Sequence, residues 1–271
     1  MSETVRYEVD GAVATITLNR PEAMNTMGED LLPRALAHLS QAASDDAIRA
    51  VILTGTGRAF CAGGDLNAIS AGGIGDRGGA SALPGSYDRS VADLRANMRS
   101  SQILREMPKL TIAAINGACA GAGFSWACAA DVRFAAESAV FNTAFMTAGL
   151  SGDFGGTWTL PRIVGAAKAR ELYLLPRKFD AAEALRIGLV SEVVPDDQLM
   201  DLARERARQA AGYAPLTFAW VKENLNDADR LPFSEALDGE ARRHVRSGMT
   251  EDARESAAAF LQKRQPAFKG R

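Results

Sequence analysis

Apolar residues change their spacing several times along this chain, and each change marks an element. Residues 7–18 alternate apolar and polar positions about Asp10-Gly11, the pattern of a β-hairpin, and Asn19-Arg-Pro-Glu breaks its second strand. Residues 28–44 set Leu31, Leu32, Leu36 and Leu39 on one side of a helix. Ala50-Val-Ile-Leu-Thr54 reads as a buried strand that Gly55-Thr-Gly57 ends. Residues 71–88 are glycine-rich and polar, which predicts a mobile loop; 89–107 return to helical spacing until Pro108 stops them. Short strands are expected at Asp131-Val-Arg-Phe and Ala139-Val-Phe141, and a flexible turn at 149–156. From residue 166 the spacing is mostly helical, over 167–175, 181–187, 198–211, 215–226, 234–246 and 251–263. Strands and helices first, helices last, predict an α/β core over 1–197 with a helical C-terminal region over 198–271.

Residues 111–130, TIAAINGACAGAGFSWACAA, carry no charge and change character midway. Thr111-Ile-Ala-Ala-Ile predicts a short buried strand ended by Asn116-Gly117, and a helix is expected from about Ala122. An uncharged run of this length also suits a membrane span, but Asn-Gly in its middle and the lack of a basic flank speak against one. A strand running through small residues into a helix leaves backbone N–H groups unpaired at the helix start, where the helix dipole is positive. Such a junction suits an anion or a developing oxyanion. Residues 58–65, RAFCAGGD, repeat the pattern, so Gly64 offers a second N–H of the same kind.

Composition narrows the chemistry. An apolar fraction of 47% with 24% charged residues is ordinary for a soluble globular chain. A net charge of -2 leaves no basic footprint for nucleic acid and no polybasic membrane patch. Cys61, Cys119 and Cys128 lack metal-ligand spacing and, with a polar start that holds no signal-peptide pattern, suit reduced thiols in a cytoplasm. His38 and His244 lie far from the glycine-rich segments, which disfavours a histidine-based triad.

Dinucleotide fingerprints fail because Phe60 and Trp126 occupy the third glycine position, and a serine elbow at Ser151 meets Asp153 where glycine is needed. Between 111 and 162 the acids are Asp131, Glu137 and Asp153. Asp131 is expected to cap or to meet an arginine, and Glu137 to be solvated in a turn. Asp153 stands in a glycine-rich loop with Phe145, Met146, Phe154 and Trp158 near in sequence. Apolar surroundings raise a carboxylate's pKa and make it a better proton carrier near neutrality.

With these residues on the page, the chain resembles the crotonase superfamily, the enoyl-CoA hydratase/isomerase family. The resemblance rests on ITLNRPEAMN at 16–25, RAFCAGGDL at 58–66, NGACAGAG at 116–123, GGTWTLPR at 155–162, AAEALRIGLV at 181–190 and QKRQPAFKG at 262–270. It implies an α/β, crotonase-like spiral of repeated β-β-α units. It also implies a C-terminal trimerisation region, with trimers often paired as hexamers, and an acyl-CoA thioester as substrate, the CoA being part of the substrate and no further cofactor expected. The two oxyanion-hole N–H groups of the family match Gly64 and Ala122. Backbone around Ala62, Gly64 and Leu66 matches the adenine pocket, Ala23 and Arg58 match positions near the CoA, and Lys263 matches one that reaches CoA on a neighbouring subunit. Asp65 and Phe145 complete the substrate-binding set that the resemblance implies. The two glutamates of typical hydratases fall on Ser125 and Phe145, whereas Asp153 falls where isomerase branches place an acid. The sequence around it looks like the ring-isomerising branch of phenylacetate catabolism. The expectation is an acyl-CoA isomerase with Asp153 as proton shuttle; the alternatives are a 2-enoyl-CoA hydratase and a non-catalytic acyl-CoA binder.

Overall fold

A computed structural model describes residues 3–28, 30–65 and 86–271. The hairpin predicted at the start is β1 (Val5–Asp10) and β2 (Val13–Leu18), antiparallel, with Gly11 at φ +58° in the turn. Helix α1 (Leu31–Ser44) follows, then β3 (Ala50–Gly55) and β4 (Ala59–Cys61). Leu66 and the 71–85 part of the expected loop lie outside the described residues; 86–88 open helix α2 (Ser86–Asn97). The single helix expected to Pro108 is two, α2 and α3 (Arg99–Glu106), divided at Met98. After them come β5 (Leu110–Ile115), β6 (Ala118–Ala120) and α4 (Ala122–Ala129), then β7 (Val132–Ala136) and β8 (Val140–Asn142). Helices α5 (Gly156–Val164) and α6 (Ala166–Leu174) lead to β9 (Phe179–Asp180), α7 (Ala181–Arg186) and β10 (Glu192–Val194). The chain closes with α8 (Leu199–Ala211), α9 (Pro215–Ala228), α10 (Phe233–Gly248) and α11 (Glu251–Leu261).

Topology explains why short strands recur in pairs. One sheet is six-stranded, in the order β1-β2-β3-β5-β7-β10, and the other four-stranded, β4-β6-β8-β9. Three successive turns, β3/β4, β5/β6 and β7/β8, each give one strand to the first sheet and the next to the second, the spiral of β-β-α units that the motifs imply. Parallel pairing runs from β2 through β10 in the large sheet, so its strands need apolar residues on both faces. β3 shows this directly: Val51 and Leu53 join the main core, whereas Ala50 and Ile52 pack with Leu199, Ala203 and Ala207 of α8. Helix α8 thus forms a layer on the sheet, although the sequence groups it with the C-terminal helices.

Helices α9 to α11 and the turn before α11 carry a run of exposed apolar side chains, among them Leu225, Phe233, Met249, Phe260 and Leu261. Lys222 anchors α9 to the sheet region: its buried ammonium donates to Asp131 Oδ2 at 2.7 Å and to the Lys109 carbonyl at 2.9 Å. Asp131 therefore meets a lysine rather than the expected arginine, because α9 delivers a partner 91 residues along the chain. Among the described residues no helix is long and apolar enough to cross a membrane.

Candidate active site

Two strand ends converge through glycines. β4 runs out at Cys61 into Ala62-Gly63-Gly64, with Gly63 at φ +94°. This exit is fixed to the turn after β2, since Ala62 N–H donates to the Met24 carbonyl at 3.1 Å and Met27 N–H to the Gly63 carbonyl at 2.8 Å. Buried Asn25 holds that turn in place: its amide donates to the carbonyls of Thr56 (3.0 Å) and Ala59 (2.8 Å), and its oxygen accepts from Arg20 N–H (2.8 Å). On the other side β6 passes through Gly121, at φ +52°, into α4. A Cβ at Gly63 would lie 2.9 Å from the Ala120 carbonyl oxygen and 3.3 Å from Ala122 N, so the two stretches touch only because Gly63 lacks one. Similarly, a Cβ at Gly123 would fall 2.3 Å from the Cys61 carbonyl oxygen. The Ala122 N–H, first in its helix, has no acceptor within that helix. Among the described residues neither it nor the Gly64 N–H has a backbone acceptor. A carbonyl oxygen set against both would find two donors and the positive end of α4.

Asp153 occupies the loop that enters α5. Gly152 (φ +109°), Phe154 (φ +49°) and Gly155 (φ +79°) surround it with left-handed backbone, which strains Phe154 because it has a Cβ. Packing holds Phe154 there, with its buried ring edge-on to Trp126 at 5.9 Å, and the Trp126 indole N–H donates to Ser100 Oγ at 3.0 Å. Asp153 is the one carboxylate among the described residues with a buried oxygen, Oδ1, that lacks a hydrogen-bond partner. Desolvation pushes its carboxyl up to about 6 from an ordinary 3.8. It is close enough to the end of β4 for its charge to help raise the Cys61 thiol, whose burial is the larger cause.

Around this loop lie Ser125, Phe145 and Tyr173. Ser125 is buried, and its hydroxyl makes a long bond of 3.4 Å to the Gly121 carbonyl and lies beside the Tyr173 hydroxyl. Phe145 stacks on Tyr173 at 6.1 Å with ring planes 9° apart. Gly156 packs between the two hydroxyls: a Cβ there would come within 2.3 Å of Tyr173 Oη and 2.4 Å of Ser125 Oγ. Tyr173 is absent from the sequence-derived set, because one tyrosine on an ordinary helical stretch gives no signal.

The remaining expected residues fall in different places. Ala23 closes a 3₁₀ turn, Pro21–Ala23, beside the strand exit that holds half-buried Ala62. Arg58 is exposed in the turn between β3 and β4. Half-buried Asp65 packs beside Gly28 and Arg20, since a Cβ at Gly28 would lie 3.2 Å from Asp65 Oδ2 and 3.0 Å from Arg20 Nη1. Lys263 is exposed just beyond α11, at φ +53°, in a tail that folds back to the start of that helix. The contacts thus join Ala62, Gly64 and Ala122 at the two strand exits, with Ala23 next to them, and set Ser125 and Phe145 around the loop of Asp153, which is close to Cys61 at the end of β4; Lys263 lies on the tail. No cluster of histidine, cysteine or carboxylate side chains among the described residues could hold a metal ion.

Comparison with known proteins agrees with this architecture. The sequence model of the enoyl-CoA hydratase/isomerase family matches residues 8–271. A 1,2-epoxyphenylacetyl-CoA isomerase of Escherichia coli (strain K12) is 38% identical over 271 residues, covering 100% of both chains. A probable enoyl-CoA hydratase of Rhodobacter capsulatus is 40% identical over 268 residues, covering 99% of this chain and 98% of its own. Among solved structures, an enoyl-CoA hydratase from Bacillus anthracis superposes with a TM-score of 0.89 at 32% identity, covering 99% of this chain and 100% of that one. Matches of this length and identity, on a fold with the same spiral, establish the kinship: the chain is a crotonase-type enzyme and belongs to the enoyl-CoA hydratase/isomerase family.

Proposed function

We propose that the protein shifts a double bond in an acyl-CoA thioester, from the 3- to the 2-position or within a ring, through an enolate. The thioester oxygen accepts hydrogen bonds from Gly64 and Ala122. This acidifies the α-carbon, and the ionised Asp153 removes an α-proton while the electron pair moves onto the held oxygen. The same carboxyl, now protonated, returns the proton at the γ-carbon as the electrons move back. Proton and double bond are conserved, and the CoA leaves unchanged. Ala23, Arg58, Ala62, Asp65 and Leu66 belong in this reading to the CoA side of the site, and Phe145 to the acyl side. The exposed apolar face of α9 to α11 is the surface for trimer formation, and Lys263 reaches the CoA of a neighbouring subunit. No separate cofactor enters the cycle.

The observation that carries the proposal is Asp153: a half-buried carboxylate whose Oδ1 is buried without a partner, pushed up to about 6 and close to Cys61 at the end of β4. A group that titrates just below neutrality can both take and return a proton, and an inert binder has no need of so costly a group. Losing one oxyanion donor typically costs about 3–4 kcal/mol of transition-state stabilisation, so the paired N–H groups supply the larger part of catalysis and Asp153 the proton path.

Hydration of a 2-enoyl-CoA is the second reading, favoured by the hydratase names of relatives such as the one from Rhodobacter capsulatus. Adding water calls for a group to hold and deprotonate it while another protonates the α-carbon, and among the described residues the polar side chains around the Asp153 loop are the hydroxyls of Ser125 and Tyr173. Wild-type protein and Asp153→Asn should each be offered a 3-enoyl-CoA and a 2-enoyl-CoA, with products separated by chromatography. Isomerisation of the 3-enoyl ester, little hydration, and loss of turnover with retained ester binding in the variant are expected. Unchanged turnover in Asp153→Asn removes the assignment, and dominant hydration by the wild type replaces isomerase with hydratase.

A further inference from the structure

Two buried polar atoms flank one loop: Oδ1 of Asp153, which has no hydrogen-bond partner, and Oη of Tyr173, which has only the Ser125 hydroxyl beside it among the described residues. The first lies in the loop, and the second on the helix packed beneath it. A Cβ at Gly152 would lie 3.9 Å from Tyr173 Cε1, and one at Gly156 would lie 2.3 Å from Tyr173 Oη, so the loop closes over the edge of that ring on both sides of Asp153. Asp153 reaches its position at a cost, because a buried carboxylate oxygen without a partner forfeits its hydration, and the Tyr173 hydroxyl has hydrogen-bonding capacity that Ser125 does not exhaust. One is a donor and the other an acceptor.

We propose that Tyr173 is a positioning residue for Asp153: when an acyl-CoA is seated, its hydroxyl donates a hydrogen bond to the Asp153 carboxylate. The inference rests on the acyl-CoA reading above and adds a residue to it. The loop has the means to move, since Gly152, Phe154 and Gly155 are all left-handed and can redistribute their dihedral angles. It also has a reason. An acyl chain laid against Asp153 strips water from the carboxylate and opposes its ionisation just when it must act as a base. A phenol hydrogen bond restores the charged form. Burial pushes the Tyr173 phenol up, so it stays protonated and able to donate throughout the working range.

Few other charges can do this. The titratable groups that act on Tyr173 are Asp153 and Cys128 of α4, with the Ser125 hydroxyl beside them. Cys61, at the end of β4, feels the charge of Asp153. Among the described residues no arginine or lysine acts on either Asp153 or Tyr173.

The test is a carbon-13 NMR titration of aspartate carboxyls in the full-length wild type and in Tyr173→Phe, with Asp153→Asn identifying the signal. Each protein is titrated alone and saturated with butanoyl-CoA, a saturated ester that cannot isomerise. Alone, the two should share one midpoint, because the hydrogen bond is absent without ligand. With butanoyl-CoA bound, the midpoint in Tyr173→Phe should stand about one pH unit or more above that of wild type, roughly a tenfold difference in proton affinity. The acid limb of kcat should separate in the same direction while that of kcat/KM does not, a split that loss of packing alone would not produce. Equal midpoints in the bound proteins overturn the inference, and so does a difference already present without ligand. Calorimetry separates the two ways of failing. Butanoyl-CoA that binds with equal midpoints removes only the role of Tyr173, whereas butanoyl-CoA that does not bind removes the acyl-CoA reading with it.

Discussion

Asp153→Asn should make the protein more stable as well as inactive, and only above a definable pH. In the folded chain the carboxyl is pushed up to about 6, against 3.8 for an ordinary aspartate, by desolvation alone. Below about pH 4 the group is protonated in both folded and unfolded chains and contributes no penalty. Between about pH 4 and pH 6 the unfolded chain has released the proton while the folded chain keeps it. Stability therefore falls as pH rises through that window and stays lowered above it. At 1.36 kcal/mol per pKa unit, the full penalty is about 3 kcal/mol, an upper value because water reaches part of the side chain. Asparagine does not titrate, so the wild type should lose about 2–3 kcal/mol relative to the variant between about pH 4 and pH 8. For a chain of this size that corresponds to a difference of several degrees in unfolding temperature. Urea unfolding of both proteins at equal subunit concentration, at several pH values across the window, measures it directly. Comparing the variant with the wild type across pH cancels the fixed difference between amide and carboxyl. Parallel stability curves, with a gap independent of pH, would refute the claim that Asp153 is buried at an electrostatic cost.

Other substitutions probe the neighbouring parts. Ala122→Pro removes one oxyanion donor at the first helical position, where proline is tolerated, and should lower kcat by about 10²–10³ with circular dichroism unchanged. Gly156→Ala pushes a methyl group against Tyr173 Oη and Ser125 Oγ, at 2.3 Å and 2.4 Å before relaxation. It should cost about 1–3 kcal/mol in urea unfolding and impair turnover at the same time. Lys222→Met leaves Asp131 charged without its 2.7 Å partner and should cost about 3–5 kcal/mol. Adding Asp131→Asn should recover part of that loss, and a double-mutant cycle reads the coupling.

The sequence carries the local geometry of this site better than its assembly. The junction at 111–130 is legible because a neutral run, an Asn-Gly turn and small residues leave few other conformations. β6 within it is not, since three residues that pair only with distant strands have no periodicity of their own. The apolar setting of Asp153 shows in its aromatic neighbours, but its approach to Cys61 depends on the second sheet closing. Asp131 illustrates the same limit: its acidity is visible, yet its partner comes from α9, 91 residues away. Tyr173 is the clearest omission, because its importance comes from Gly156 lacking a side chain.

What separates Asp153 from the other buried acids is how thoroughly the rest are satisfied. Asp131 accepts from Lys222 at 2.7 Å and from Thr111 N–H at 2.9 Å. Asp227 accepts from Arg230 and Arg243 at 2.5 and 2.6 Å. Asp252 accepts from the N–H groups of Lys269 and Gly270 at 2.7 and 2.8 Å. Each of these carboxylates ties its own element to another part of the chain through donated hydrogen bonds, and the arginines hold Asp227 below the usual carboxylate range. Asp153 joins nothing through its buried oxygen, and its own backbone loop is strained at Phe154. Among the described residues the other buried carboxylate oxygens have partners and the Oδ1 of Asp153 has none, which is the property the proposed proton shuttle needs. Structural use would have supplied a partner, and with a partner its affinity for that proton would fall below the range useful for exchange near neutrality.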